Sequence, residues 1–106
     1  MEPKNFNILK HFMIEVNMPK EPPTEFYMLV PAQRDMVVDY MDKGIIISYG
    51  LSDDRSRLWI VVVAGNEQEV AAITEKFPMF KYMSFQVEEL MFYNNSKHKL
   101  PELSLN

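Results

Sequence analysis

Hydrophobic and polar residues alternate along the first well-patterned stretch of the chain, residues 8–18. Phe12, Ile14 and Val16 fall on one side of this alternation, and His11 and Glu15 fall on the other. Strict alternation of apolar and polar positions is typical of a β-strand with one buried face. We therefore predict a first strand that packs its apolar side against helices and carries His11 and Glu15 on the opposite side.

Two later stretches repeat their hydrophobic residues at helical spacing. The first ends at Gly44, which suits a left-handed helix C-cap, and it contains Pro31. Proline either kinks a helix or lies in its first turn, so we expect the main helix to span residues 31–43 after a preliminary turn. The second helix begins at a capping box formed by Asn66 and Glu69.

Three further runs have the composition of strands, at residues 45–50, 57–64 and 83–92. A polar turn between the first two indicates an antiparallel hairpin. The resulting order is strand–helix–strand–strand–helix–strand. It predicts an α+β, ferredoxin-like βαββαβ sandwich, with a four-stranded antiparallel sheet and two helices on one face. The chain of 106 residues should be one such domain, with a loose N-terminal extension at residues 1–7 and a C-terminal tail at residues 95–106.

The third of the four predicted strands is apolar on both of its faces. Its central run reads Leu58-Trp59-Ile60-Val61-Val62-Val63. An antiparallel strand with one solvated face should instead alternate between apolar and polar residues. We therefore expect helices to cover one face of the sheet and a second copy of the chain to cover the other.

Composition narrows the classes of function. The net charge is −4 and no basic stripe is present, so we expect no nucleic-acid partner. The chain has no cysteine and only two histidines, His11 and His98, so we expect no metal, no disulfide and no thiolate chemistry. No apolar run approaches the roughly 18 residues of a membrane span, and no signal-peptide pattern opens the chain. These features predict a cytoplasmic protein without a membrane partner.

Two segments of the chain carry a family resemblance. They read His11-Phe12-Met13-Ile14-Glu15-Val16-Asn17-Met18-Pro19 and Phe77-Pro78-Met79-Phe80-Lys81-Tyr82-Met83-Ser84-Phe85-Gln86-Val87. The first resembles the first strand of muconolactone isomerases, which ends in an acidic residue, Val, a polar residue, an aliphatic residue and Pro. The second is similar to the family's more specific signature after its second helix, aliphatic-Pro-Leu-Phe-Pro-Tyr-Met-x-Ile-x-Val. The resemblance extends over roughly residues 9–95.

The resemblance implies a dimeric α+β barrel, in which two four-stranded sheets pack face to face and dimers can assemble further. Muconolactone isomerases move a proton along a butenolide ring without a cofactor, which requires a base and an acid. The family places a Glu on the first helix and a His on the second strand near the pocket. The corresponding positions here are Gln33 and Ser48, and neither side chain can act as a base near neutral pH.

His11 and Glu15 are the candidate catalytic residues, as a base and an acid on one strand face. They are about 13 Å apart at roughly 3.3 Å per residue, so a two-fold partner would have to bring a copy of each together. The alternative is that both are interface residues whose polar atoms are satisfied across a dimer. The candidate ligand-binding residues are Gln33, Ser48, Tyr49 and Trp59.

Two functions from different classes stay open. One is cofactor-free isomerisation, or a related proton transfer, on a small lactone or unsaturated acid. The other is a non-catalytic homo-oligomeric module that binds a small anionic or lactone ligand, or serves assembly, after losing the family's proton-transfer groups. Gln33 and Ser48 favour the second function, whereas His11, Glu15 and Tyr49 keep the first open. A small monooxygenase of the same barrel superfamily is a third, less favoured interpretation.

Overall fold

The computed structural model describes residues 9–96. In this part of the chain, the strands are β1 Lys10–Asn17, β2 Ile46–Leu51, β3 Arg57–Ala64 and β4 Ser84–Leu90. The α-helices are α1 Thr24–Met28, α2 Val30–Asp42 and α3 Glu67–Glu75, and a 3₁₀ turn follows at Phe80–Tyr82. The predicted N-terminal extension, the tail beyond residue 96 and His98 lie outside the described residues.

The four strands form one antiparallel sheet in the order β2-β3-β1-β4. β1 pairs with both β3 and β4, and β3 also pairs with β2. β1 and β3 therefore have neighbours on both sides, whereas β2 and β4 are edge strands. This order and the succession of helices confirm the predicted ferredoxin-like βαββαβ fold.

The alternation along β1 buries the residues that it predicts. Phe12, Ile14 and Val16 are fully buried and belong to the hydrophobic core. Val37 of α2 and Val70 of α3 join the same core, so these helices pack on this face of the sheet. Residues that alternate with the buried set form the opposite side of the sheet, which we call the open face. Its members are His11, Met13, Glu15 and Asn17 of β1, Arg57, Trp59, Val61 and Val63 of β3, Ser48 and Gly50 of β2, and Ser84, Gln86, Glu88 and Leu90 of β4.

The first helical stretch is divided as the position of Pro31 predicts. α1 is a short helix, and α2 begins at Val30 with the proline in its first turn, where a missing N–H breaks no intrahelical hydrogen bond. After α2, Gly44 has a φ of 77°, a left-handed conformation that glycine adopts without strain. The main helix therefore lies one residue earlier than predicted at each end.

The predicted capping box opens α3. Asn66 Oδ1 accepts a hydrogen bond from the backbone N–H of Glu69 at 2.9 Å. The Glu69 carboxylate reaches back and accepts from the N–H of Gly65 at 2.7 Å. Two backbone donors at the helix start are thus satisfied by local side chains.

The last strand is shorter than predicted and ends at Leu90. Leu90 lies opposite His11, and only Lys10 precedes His11 in β1, so β1 offers no partner for residue 92. The prediction extended the strand to residue 92. Residues 91–96 instead leave the sheet.

Asp54 organises the turn between β2 and β3. Its Oδ1 accepts hydrogen bonds from the Ser56 hydroxyl at 2.7 Å, the Ser56 N–H at 3.0 Å and the Ser52 hydroxyl at 2.8 Å. These hydrogen bonds favour the charged carboxylate and lower the pKa of Asp54 to about 2, with the Ser56 hydroxyl as the largest cause. Side-chain hydrogen bonds thus fix the hairpin turn.

We expect the free energy of unfolding of Asp54→Ala to fall less steeply in acid than that of the wild type. The pKa of Asp54 is lowered on folding, so its contribution is complete above the ordinary value of 3.8 and is lost as pH falls through about 2. Urea denaturation at a series of pH values across this window measures the difference from wild type. Asp53→Ala is the matched control, because it removes a carboxylate from the same turn. Identical acid limbs for wild type and Asp54→Ala would contradict the prediction.

Candidate functional site: the open face of the sheet

Four of the six candidate residues share the open face. Glu15 lies directly opposite Trp59, and Ser48 lies opposite Val61 of the same strand β3. His11 is four residues from Glu15 in β1 and so points to the same side of the sheet. The fold therefore places His11, Glu15, Ser48 and Trp59 on one surface.

A β-bulge determines which residues of β2 reach this surface. The pairing with β3 shifts by one residue between Ile46 and Ser48, so that Ile47 is an extra residue. The shift inverts the alternation downstream, which directs Ser48 to the open face and Tyr49 to the helix-covered face. Tyr49 is 45% exposed there and does not join the other candidates. The structure therefore places Tyr49 on the opposite side of the sheet from Ser48.

Glu15 is engaged at one end of the open face. Arg57 Nη1 donates a hydrogen bond to Glu15 Oε2 at 3.3 Å. The same guanidinium lies over the indole of Trp59, 5.4 Å from the ring centroid. This ion pair is partly exposed, so we expect it to contribute less than about 1 kcal/mol to folding. The three side chains form a layered Glu–Arg–Trp group, in which the contact with Glu15 uses one of the five N–H donors of Arg57.

Tyr93 covers the other end of the open face. Its ring stacks on the His11 ring with centroids 5.4 Å apart and an interplanar angle of 25°. Its hydroxyl donates a hydrogen bond to Ser48 Oγ at 3.2 Å. Sequence reasoning missed Tyr93 because the residue follows the last strand at the start of a polar run and has no periodic neighbours.

The structure keeps the candidate catalytic residues apart within one chain. His11 contacts Tyr93 at one end of the face, while Glu15 contacts Arg57 at the other. An acid and a base that move a proton on one small substrate must both lie within hydrogen-bond reach of it. A single copy of the chain does not provide that arrangement with this pair.

Gln33 lies on the other side of the sheet, in the first turn of α2. Its side chain is buried, at 7% exposure, and Oε1 accepts a hydrogen bond from the Met79 N–H at 3.1 Å. Its Nε2 is buried and has no hydrogen-bond partner within residues 9–96. Gln33 therefore holds the turn before β4 against α2, and its buried NH2 group leaves two N–H donors for a water or a ligand.

An open hollow lies at the ends of β1 and β4. It has a volume of about 550 Å³ and is lined by Leu9, Lys10, His11, Glu89, Leu90 and Met91. An ion pair of 3.4 Å between Lys10 and Glu89 occupies one side of it. The hollow is broad and solvated, unlike the enclosed clefts in which small ligands are usually held.

The described residues contain no cluster of three or more His, Asp or Glu side chains able to hold a metal ion. Within the same residues, no helix has the length and apolar character needed to cross a membrane.

Comparison with known proteins gives no family assignment. No family model and no curated protein matches the sequence. Among solved structures, the chain is similar to a conserved protein of unknown function from Bacteroides thetaiotaomicron that is described as a "possible oxidoreductase". The two are 16% identical with a TM-score of 0.45, and the match covers 81% of this chain and 99% of that one. Similarity at this level assigns no specific function.

Proposed function

We propose that the protein is a homodimeric module that binds a small ligand between two open sheet faces and has no proton-transfer activity. The observation that carries the proposal is the engagement of Glu15 by Arg57, at the far end of the face from His11. The likeness of two sequence segments to muconolactone isomerases supports the pairing of sheets. Gln33 and Ser48 stand where that family has its Glu and His, and this difference supports the loss of catalysis.

The chemistry of the open face favours a second copy as its partner. Met13, Val61 and Val63 give the face an apolar centre. Four strands at about 4.8 Å and seven residues at about 3.3 Å give a flat projection of roughly 450 Å². This flat projection is smaller than the ~800 Å² per partner of a standard interface, and the relief of the side chains adds to it.

The charges of the open face are compatible with a two-fold axis. Glu15 and Glu88 are acidic and Arg57 is basic, so the face has no large charge of one sign. A two-fold axis that lies in the interface and crosses the strands would place the His11 end of one copy over the Glu15 end of the other. That arrangement places His11 of one copy over Glu15 of the other, while Glu88, the register partner of Met13 in the edge strand β4, comes to lie near its own copy.

A ligand would lie in the central space between two such faces. Met13 and Trp59 provide apolar walls, and Arg57 has further N–H donors for an oxygen atom. Glu15 already balances the charge of this arginine, so the site does not demand a strongly anionic molecule. The chemistry fits a small unsaturated ring with a carbonyl or single carboxylate group, such as a lactone.

We expect the wild-type protein to sediment as a dimer at micromolar concentration and Met13→Glu to sediment as a monomer. Met13 is half-buried on the open face, where a carboxylate would have to be desolvated on pairing. Met28→Glu is the matched control, because Met28 is 72% exposed in α1 and far from this face. Analytical ultracentrifugation measures both. A monomeric wild-type protein would remove the dimer from the proposal.

Experiments with a butenolide that bears a carboxymethyl group distinguish ligand binding from catalysis. We expect saturable changes in the indole N–H resonance of Trp59, the only tryptophan of the chain, when this compound is titrated in H₂O. In D₂O we expect no protein-dependent entry of deuterium into the ring and no movement of its double bond. Deuterium entry that His11→Asn or Glu15→Gln abolishes would overturn the binding proposal in favour of an isomerase.

A further inference from the structure

We infer that residues 91–96, which we call the strap, compete with the second copy of the chain for the open face. Tyr93 would then regulate dimerisation by closing over the face in the monomer and lifting away in the dimer. This inference rests on the dimer proposed above and adds a regulatory element to it.

The path of the strap across the sheet is the first observation. The chain leaves the edge strand β4 at Leu90, and Tyr93 then contacts His11 of β1 and Ser48 of the opposite edge strand β2. Three strand spacings of about 4.8 Å separate the two edges, so the strap and its tyrosine span roughly 14 Å. A segment on this path lies where the sheet of a partner would pack.

The residues beneath Tyr93 are the second observation. Ser48 lies opposite Val61, and His11 lies opposite Val63, so the two contacts of Tyr93 flank the apolar centre of the open face. Val61 is 4% exposed in a single copy of the chain. The strap therefore covers apolar surface that a partner copy would otherwise cover.

The contacts that hold Tyr93 are the third observation. Within residues 9–96 they include one ring stack and one hydrogen bond between two hydroxyl groups, at a partly buried position. The two residues that lead into Tyr93, Met91 and Phe92, are 96% and 70% exposed, so the start of the strap has little packing of its own. Few buried contacts allow a segment to open locally without unfolding of the domain.

Competition predicts that weakening the strap strengthens the dimer. We expect Tyr93→Ala to lower the dimer dissociation constant. Ser48→Ala should lower it by up to about 25-fold, because two straps open for each dimer and each then lacks one hydrogen bond worth roughly fivefold. Tyr27→Ala is the matched control, because Tyr27 is exposed in α1. Sedimentation equilibrium measures all three dissociation constants. A weaker dimer in Tyr93→Ala would show that Tyr93 belongs to the interface and would contradict the inferred competition between the strap and the partner copy.

A second measurement follows the strap itself. In His98→Gln, His11 is the only histidine, and its ring protons should show a ring-current shift from Tyr93 at low protein concentration. We expect this shift to disappear as the dimer forms and to be missing at all concentrations in His98→Gln/Tyr93→Ala. A dimer that retains the shift would contradict the inferred role of the strap and would leave the proposed dimer unaffected. Monomers at every concentration in both the wild type and Tyr93→Ala overturn the two proposals together.

Discussion

Replacing Phe12 with alanine should lower the free energy of unfolding by about 3–5 kcal/mol. Phe12 is fully buried in β1, which is hydrogen-bonded to a strand on each side. The two neighbouring strands hold the backbone in place, so the cavity left by the phenyl ring cannot close. Small domains have a total stability of about 5–15 kcal/mol, so this variant should be close to unfolded at 37 °C.

Urea denaturation followed by the fluorescence of Trp59 measures the effect of Phe12→Ala. Leu9→Ala is the control, because Leu9 is exposed just before β1 and should change stability by less than about 0.5 kcal/mol. A loss below about 1 kcal/mol in Phe12→Ala would mean that the sheet adjusts around the cavity, contrary to the rigid packing described above.

Replacing Gln33 with alanine should cost about 1–3 kcal/mol of stability. The substitution leaves the buried N–H of Met79 without its acceptor and separates the turn before β4 from α2. Part of this loss is offset, because the substitution also removes the unpartnered Nε2. Chemical denaturation provides the measurement, and Gln68→Ala on the exposed surface of α3 is the matched control.

Gln33→Glu tests the same contact in a different way. The carboxylate keeps an acceptor for Met79, but burial without a cation disfavours its charged form and should raise the pKa of the introduced carboxyl group. A raised pKa means that the variant loses stability as pH rises through that value and recovers it in acid. Equal stabilities of Gln33→Ala and Gln68→Ala would show that the hydrogen bond between Gln33 and the Met79 N–H does not stabilise the fold.

Most of the fold follows from local sequence patterns. The alternation along β1, Pro31 at the start of α2 and the pair Asn66 and Glu69 each predict a feature that the structure confirms. The end of β4 was predicted wrongly because it depends on where the neighbouring strand begins. The sequence around residues 90–92 stays suitable for a strand, but β1 offers no backbone partner beyond His11 and Lys10.

The candidate site is less accessible to sequence reasoning than the fold. Alternation within β1 correctly predicts that His11 and Glu15 share one face. The separation of Ser48 from Tyr49 depends on a bulge, and the contacts of Tyr93 depend on a return path across the whole sheet. Neither feature has a local periodicity, since both arise only when distant segments are brought together. The family resemblance stays a prediction, because no family model matches the chain.

The extra residue Ile47 makes the register of β2 a source of chemical diversity. Deletion of Ile47 would remove the bulge and leave Ser48 opposite Val61, whereas a register shift that paired Ile47 with Val61 would exchange the two sides for every position from residue 48 to the end of the strand. The phenol of Tyr49 would then face Glu15 and Trp59, and the hydroxyl of Ser48 would turn toward the helices. Among homologous proteins, the presence or absence of the bulge could therefore change the groups on the open face more than any one substitution.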